Sequence, residues 1–171
     1  LDRITKKDAV FDEKKLDWMN GMYIRNMTAD EWVEASKPWL VKAGADPVDI
    51  DLRPEWYARL YPLVAERLNR LDEIPGKLAY MFWGPEVQLD EKSVRKVLMK
   101  EGARAEEVLR SARDIIADES IEWACDPLQD TVRGLVDSLG LKAKFIFQPI
   151  RVAVCGNMVS PPLFESIELL P

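Results

Sequence analysis

The sequence predicts an all-α protein built from two small helical subdomains, residues 1–74 and 75–171, which meet near Pro75. Three observations carry this expectation. Apolar residues recur at three- and four-residue steps along most of the chain, as one buried face of a helix requires. Helix starts and stops are written in capping residues, with Thr28, Pro54 and Pro127 at starts and Gly44, Gly102, Gly140 and Gly156 at ends. The one stretch that could be a strand by composition, FIFQPIRVAV from Phe145, contains Pro149, which cannot donate to a central ladder.

In chain order, FDEKKLDWMNGMYIRNM places Leu16, Met19, Tyr23 and Met27 on one helical stripe, with the helix ending near Asn26. Thr28-Ala-Asp-Glu31 matches a capping box, and Trp32, Trp39 and Leu40 give the next helix its apolar side until Gly44 to Pro47 ends it. Arg53-Pro54 opens a third helix with Trp56, Leu60, Leu63, Val64 and Leu68 buried, leaving Arg67 and Arg70 along one flank. Tyr80, Phe82 and Trp83 read as core aromatics rather than a base-stacking platform, because no basic frame surrounds them in the sequence. Helical spacing continues from Asp90 to Ile116 with a break at Gly102, and Asp126-Pro127 opens a helix that runs to Leu139. The last two helices are expected from about Gln148 to Gly156, and after Ser160 as N-cap with Pro161 in first position.

Composition excludes several function classes. The chain has 47% apolar and 32% charged residues, ordinary for a soluble globular protein, and no apolar run nears the ~20 residues of a membrane span. It has no histidine, which removes the commonest general base and zinc ligand, and its two cysteines are too few for a metal cluster or disulfide framework. No phosphate-binding glycine loop and no nucleophile elbow occur, and acidic pairs such as Asp12/Glu13 and Glu106/Glu107 read as solvated surface. Leu1 is not a natural start, so a piece of a longer cytoplasmic protein is expected. The net charge of −6 opposes non-specific polyanion binding, yet Leu139 to Leu163 holds Lys142, Lys144 and Arg151 and no acid. Lys142 and Lys144 are therefore candidates for attracting phosphate without base choice.

The stretch QPIRVAVCGNMVSPPLFESIELL carries the most information. A helix that stops and restarts within a few residues leaves backbone donors and acceptors needing partners, and a ligand is one candidate partner.

That segment resembles one near the C-terminus of bacterial glutamyl-tRNA synthetases, whose usual form is QPLR, an apolar run, Thr-Gly, then Ser or Thr-Pro-x-Leu-Phe and a Leu pair. FDEKKLDWMNGMYIR resembles the helix that follows their catalytic domain, and the likeness runs in register through ERLNRLDEIPGKLAYMF. Cys155 stands where Thr is usual and Pro171 where Gly is usual. Neither of the two ATP signatures of class I synthetases is present, so this chain alone should not activate glutamate.

The resemblance implies an α-helical cage that reads the anticodon of the glutamate tRNA, joined to an N-terminal catalytic domain that binds ATP, Mg and glutamate, in a monomeric cytoplasmic enzyme without membrane contact. No cofactor is implied for this part. Arg67 would touch the third anticodon base, and Arg151, Ser160, Pro161 and Leu163 would hold the first two. Arg offers donors only, which suits cytosine O2 and N3 and opposes the N1–H and N2–H₂ of guanine. The competing expectation is an all-helical interaction or scaffold module that reads no RNA, since acidic charge and six tryptophans also suit a docking surface.

Overall fold

The structure, a computed structural model, describes residues 12–84, 86–102 and 104–170. Phe11, which opens one of the quoted motifs, and Pro171, where Gly is usual, lie outside the described residues. Among the described residues every regular element is helical.

Helix α1 (Glu13–Arg25) starts where the Asp12 carboxylate accepts from the Lys15 N–H at 3.1 Å, and ends at Asn26 as expected. Its buried face differs from the expected one. Gly21 and Ile24 face inward, whereas Leu16 is 51% and Tyr23 69% exposed. The reason lies at Gly21, where an added Cβ would meet Asn69 Oδ1 at 2.9 Å and the Leu68 carbonyl at 3.2 Å. Close backbone approach at that glycine chooses the face, and the Asn20 amide donates to the Asn69 carbonyl at 2.6 Å beside it.

Helix α2 (Ala29–Ala43) opens with the expected box. The Thr28 N–H donates to the Glu31 carboxylate at 2.8 Å, and the Thr28 hydroxyl oxygen accepts from the Glu31 N–H at 3.2 Å. Trp32 and Leu40 are fully buried, and Gly44 ends the helix at φ +117°, where Gly carries no Cβ penalty. The stop is also a start, because Asp46 caps a short α3 (Pro47–Leu52) that the sequence reading did not contain.

The single helix expected after Pro54 is broken into α4 (Pro54–Ala58), α5 (Tyr61–Val64) and a 3₁₀ turn (Ala65–Arg67). Pro62 has no N–H to return to Ala58, so the ladder stops there. Leu60, Leu63, Val64 and Leu68 stay buried, while Trp56 is half-buried and Tyr57 takes a core position. Arg67 thus sits on a tight exposed turn instead of a helix flank.

Pro75 lies in the first turn of α6 (Ile74–Leu78), which packs on α2. A 3₁₀ turn (Ala79–Phe82) follows, with Tyr80 and Met81 buried and Phe82 and Trp83 half-buried against the core. Helix α7 (Glu91–Ser93) runs into a wider π turn (Val94–Leu98), and α8 (Ala105–Ile116) follows the expected break, with Gly102 at φ +74°. Glu106 and Glu107 are exposed and pair with Arg110 and Arg104. Gly134 divides the next expected helix into α9 (Cys125–Arg133) and α10 (Leu135–Ser138).

Helix α11 (Ala143–Cys155) begins five residues before the expected Gln148 and contains Pro149. Pro149 costs one backbone bond, but it is buried between Ile146 and Ile150, and that apolar face outweighs the loss. Helix α12 (Leu163–Leu169) closes the chain. One hydrophobic cluster joins residues on both sides of Pro75, including Trp32, Leu60, Leu78, Val108, Ile146 and Phe164.

Candidate nucleic-acid interface

The chain between α11 and α12 is held from two sides. Gly156 ends α11 at φ +78°, and its carbonyl accepts from the Asp90 N–H at 2.8 Å. The buried Ser93 hydroxyl accepts from the Met158 N–H at 3.1 Å and donates to the Asp90 carboxylate at 2.6 Å. The Asn157 side-chain carbonyl accepts from the Val159 N–H at 2.8 Å. Two amides of the break, those of Met158 and Val159, are thus met by protein side chains.

The Ser160 and Pro161 carbonyls are met by arginine. Arg67 Nη1 donates to the Ser160 carbonyl at 3.0 Å, and Arg151 Nη1 donates to the Pro161 carbonyl at 2.7 Å, to the Ser160 carbonyl at 3.4 Å and to the Ser160 hydroxyl. Ser160 is therefore not the N-cap of α12; Pro162 occupies that position and gives no side-chain cap. The competing partner is a guanidinium, and a hydrogen bond to a charged group is roughly twice as strong as a neutral one. Pro161 correspondingly lies outside the helix.

Between these groups opens a cleft of about 380 Å³, lined by Arg67, Lys77, Tyr80, Gln148, Arg151 and the loop from Asn157 to Pro161. No carboxylate lines it. Each guanidinium spends only Nη1 on the loop, leaving Nε and Nη2 without a partner among the described residues. Burial pushes the Tyr80 phenol above its ordinary range, so it stays neutral, bonded to the Ser166 hydroxyl at 2.7 Å. Cys155 is buried behind the loop, and burial likewise pushes its thiol up, which keeps it an inert packing residue.

The structure thus brings together Arg67, Arg151, Ser160 and Pro161. Leu163 does not line the cleft: it is 4% exposed, packed in the core, and borders an adjoining hollow that Arg151 shares with Arg133 and Gln129. A helical restart two residues later than expected turns it inward. Lys142 is exposed at the start of α11, and Lys144 lines a neighbouring cavity rather than the cleft. Sequence reasoning missed Asp90, Ser93 and Lys77. The Asp-x-x-Ser spacing signals a helix cap, but nothing local shows that the same hydroxyl reaches Met158. No three His, Cys, Asp or Glu side chains among the described residues converge as metal ligands would.

Ser93→Ala leaves the Met158 N–H without its acceptor, and a loss of about 1–3 kcal/mol at neutral pH is expected in urea denaturation. The Ser93 hydroxyl and amide, in that order, hold the Asp90 carboxyl below its ordinary value. A carboxyl lowered in the folded state stabilises above its unfolded value and loses that contribution as pH falls through the folded value. The gap between wild type and Ser93→Ala should therefore narrow as pH falls below the ordinary aspartate value of 3.8. A gap independent of pH contradicts the coupling.

The likeness to known proteins follows this geometry. Residues 31–171 match the anticodon-binding domain family. The glutamate–tRNA ligase of Symbiobacterium thermophilum is 38% identical over 175 residues, covering 99% of this chain and 34% of that protein. That of Thermobifida fusca is 37% identical, with 99% and 35% covered. A crystal structure of a glutamate tRNA ligase from Elizabethkingia meningosepticum in complex with its amino acid matches at a TM-score of 0.77 and 19% identity, over 99% of this chain and 32% of that one. The chain spans about a third of the length of the curated relatives it matches.

The structural match defines the fold class, an all-helical arrangement shared with about a third of that longer chain. The sequence match is specific: the chain belongs to the anticodon-binding domain family.

Proposed function

We propose that this chain is the anticodon-reading part of a glutamate–tRNA ligase and that the cleft beside Ser160 receives the anticodon of the glutamate tRNA. The observation that carries the reading is the convergence of Arg67 and Arg151 on one loop carbonyl, each with donors left over at the mouth of a cleft that holds no acid. A splayed base is read on its Watson–Crick edge and packed against flat or apolar groups. Arg67 meets the third base, where cytosine presents acceptors and guanine presents donors. Arg151 and the Ser160-Pro161 turn hold the first two, and buried Leu163 only shapes the wall behind them.

The ligation itself, with ATP and Mg, belongs in this reading to the catalytic domain of the same parent chain. The outward apolar face of α1, with Trp18 at 60% and Tyr23 at 69% exposed, is the surface that suits contact with that remaining chain better than contact with RNA. The partner in either case is a single parent chain and one tRNA.

Arg67→Gln tests the reading. Two RNA hairpins that carry a glutamate anticodon and differ only in its third base, C or G, are titrated at one stated salt concentration. The variant should lose about 1–3 kcal/mol of preference for C. Folding stability should fall by less than about 1 kcal/mol, because Arg67 is exposed and the Ser160 carbonyl keeps the Arg151 bond. An unchanged ratio returns Arg67 to the solvated surface.

A further inference from the structure

On the other side of the Met158-Val159 turn lies a second cavity, of about 630 Å³, that shares Gln148, Met158 and Val159 with the cleft. Its size is in the range of pockets that hold small ligands, about 300–1,000 Å³. Arg95, Lys96, Lys100 and Lys144 stand around it and no acid lines it. This is unexpected in a chain of net charge −6. The contrast with α8 is informative. Arg104, Arg110 and Arg113 are each paired with a neighbouring carboxylate, whereas none of the four cations at the cavity has an ion-pair partner among the described residues. Unpaired like charges repel one another, so their concentration at one opening is stabilised when an anion enters.

The floor is of a different kind. Phe145, Pro149 and Val97 make it apolar, and Lys100 Nζ lies 5.3 Å from the centre of the Phe145 ring. A flat ring beneath unpaired cations is the pairing that single-stranded nucleic-acid sites use, one part for the base and one for the phosphate. The Val94–Leu98 segment supplies two of the cations from a π turn, closed by the Met99 N–H to the Val94 carbonyl at 2.9 Å. Such wide turns are frequent at functional sites. Between the two cavities, Gln148 Oε1 is buried with no hydrogen-bond partner.

We infer that this cavity is a second nucleotide seat, which takes the phosphate and base of a nucleotide adjoining the anticodon bases in the same single-stranded loop. Arg95 and Lys100 hold the phosphate, and Phe145 stacks the base. The inference rests on the anticodon reading of the neighbouring cleft, because the shared turn at Met158-Val159 lets one RNA strand pass from one cavity to the other. It adds affinity without choosing the third anticodon base.

The test uses this chain and three RNAs: a hairpin with a glutamate anticodon, the same hairpin with a scrambled loop, and a loop-free duplex of equal charge. The Arg95→Ala/Lys100→Ala double variant should bind the anticodon hairpin about tenfold or more weakly at low salt, with the salt slope reduced by one to two. Phe145→Leu should weaken it about fivefold with the slope unchanged, as loss of stacking without loss of charge requires. Neither should alter the C-over-G preference at the third base. Arg95 and Lys100 are exposed, so the double variant keeps the inference testable if Phe145→Leu fails to fold. Unchanged affinity in the double variant, with wild type still preferring the anticodon hairpin, overturns this inference alone. An equal loss on the loop-free duplex also overturns it, since that is general phosphate attraction. No preference by wild type for the anticodon hairpin over the scrambled one overturns the anticodon reading, and this inference with it.

Discussion

Gly156→Ala is expected to destabilise the chain by about 2–4 kcal/mol and to abolish detectable binding of an anticodon hairpin. Two independent costs add at this residue. The backbone sits at φ +78°, a conformation in which any Cβ is strained. The added methyl would also meet the Gln88 carbonyl oxygen at 2.3 Å and the Trp83 ring at 3.0 Å. The first of those atoms is backbone, two residues from the Asp90 N–H that donates to Gly156, so it cannot swing aside without breaking the bond that positions the loop. Overpacking of this kind costs typically 1–3 kcal/mol. Urea denaturation measures the first effect and hairpin titration below the unfolding range the second. A variant that folds and binds like wild type would show that the loop is not held from the Asp90 side.

Arg151→Ala should lower hairpin affinity by about 2–4 kcal/mol, the largest binding loss of any single change in the cleft. In the proposed reading the half-buried guanidinium would serve two functions with different atoms. Nη1 gathers the Ser160 hydroxyl and the Ser160 and Pro161 carbonyls, which leaves Nε and Nη2 for a base. Removing it leaves the Pro161 carbonyl without its guanidinium partner and loosens the loop that Arg67 also reaches. Arg151→Lys separates the two functions, since an ammonium keeps the charge and loses the planar fork. It should retain most of the salt dependence of binding and little of the base preference. Equal selectivity in Arg151→Lys and wild type contradicts the assignment of the fork to base reading.

The parts of this fold that were legible in the sequence are those decided within a few residues. The Thr28–Glu31 box and the positive-φ glycines at 44, 102, 140 and 156 each express a local cost or a local hydrogen bond, and each is found where the sequence places it. The misreadings arise where a distant contact outweighs a local one. The face of α1 is set by Asn69 and Leu68 pressing on Gly21. Ser160 has the chemistry of a helix cap, but Arg151 reaches its hydroxyl first. Pro149 suits a helix start near Gln148, yet the apolar face around it lets α11 begin at Ala143.

The candidate site shows the same division. Arg67 and Arg151 are far apart in the chain, and their association came from the family resemblance rather than from spacing. Asp90 and Ser93 behind the loop, and Arg95 and Lys100 beyond it, are placed by packing of the 91–98 segment on α11, which no local pattern announces. The acid-free run that singles out Lys142 and Lys144 is a true feature of the sequence, but Lys144 lines the cavity beside the cleft and Lys142 lines neither.

The central claim, that an anticodon base enters beside Ser160, is tested most directly by photocrosslinking. A hairpin with a glutamate anticodon carries 4-thiouridine at the middle anticodon position, is irradiated with this chain, and the attached peptide is identified by mass spectrometry. Attachment is expected within residues 148–161 and is lost when Arg151 is changed to Ala. Attachment instead within α1 or α2, at equal yield in the variant, contradicts it.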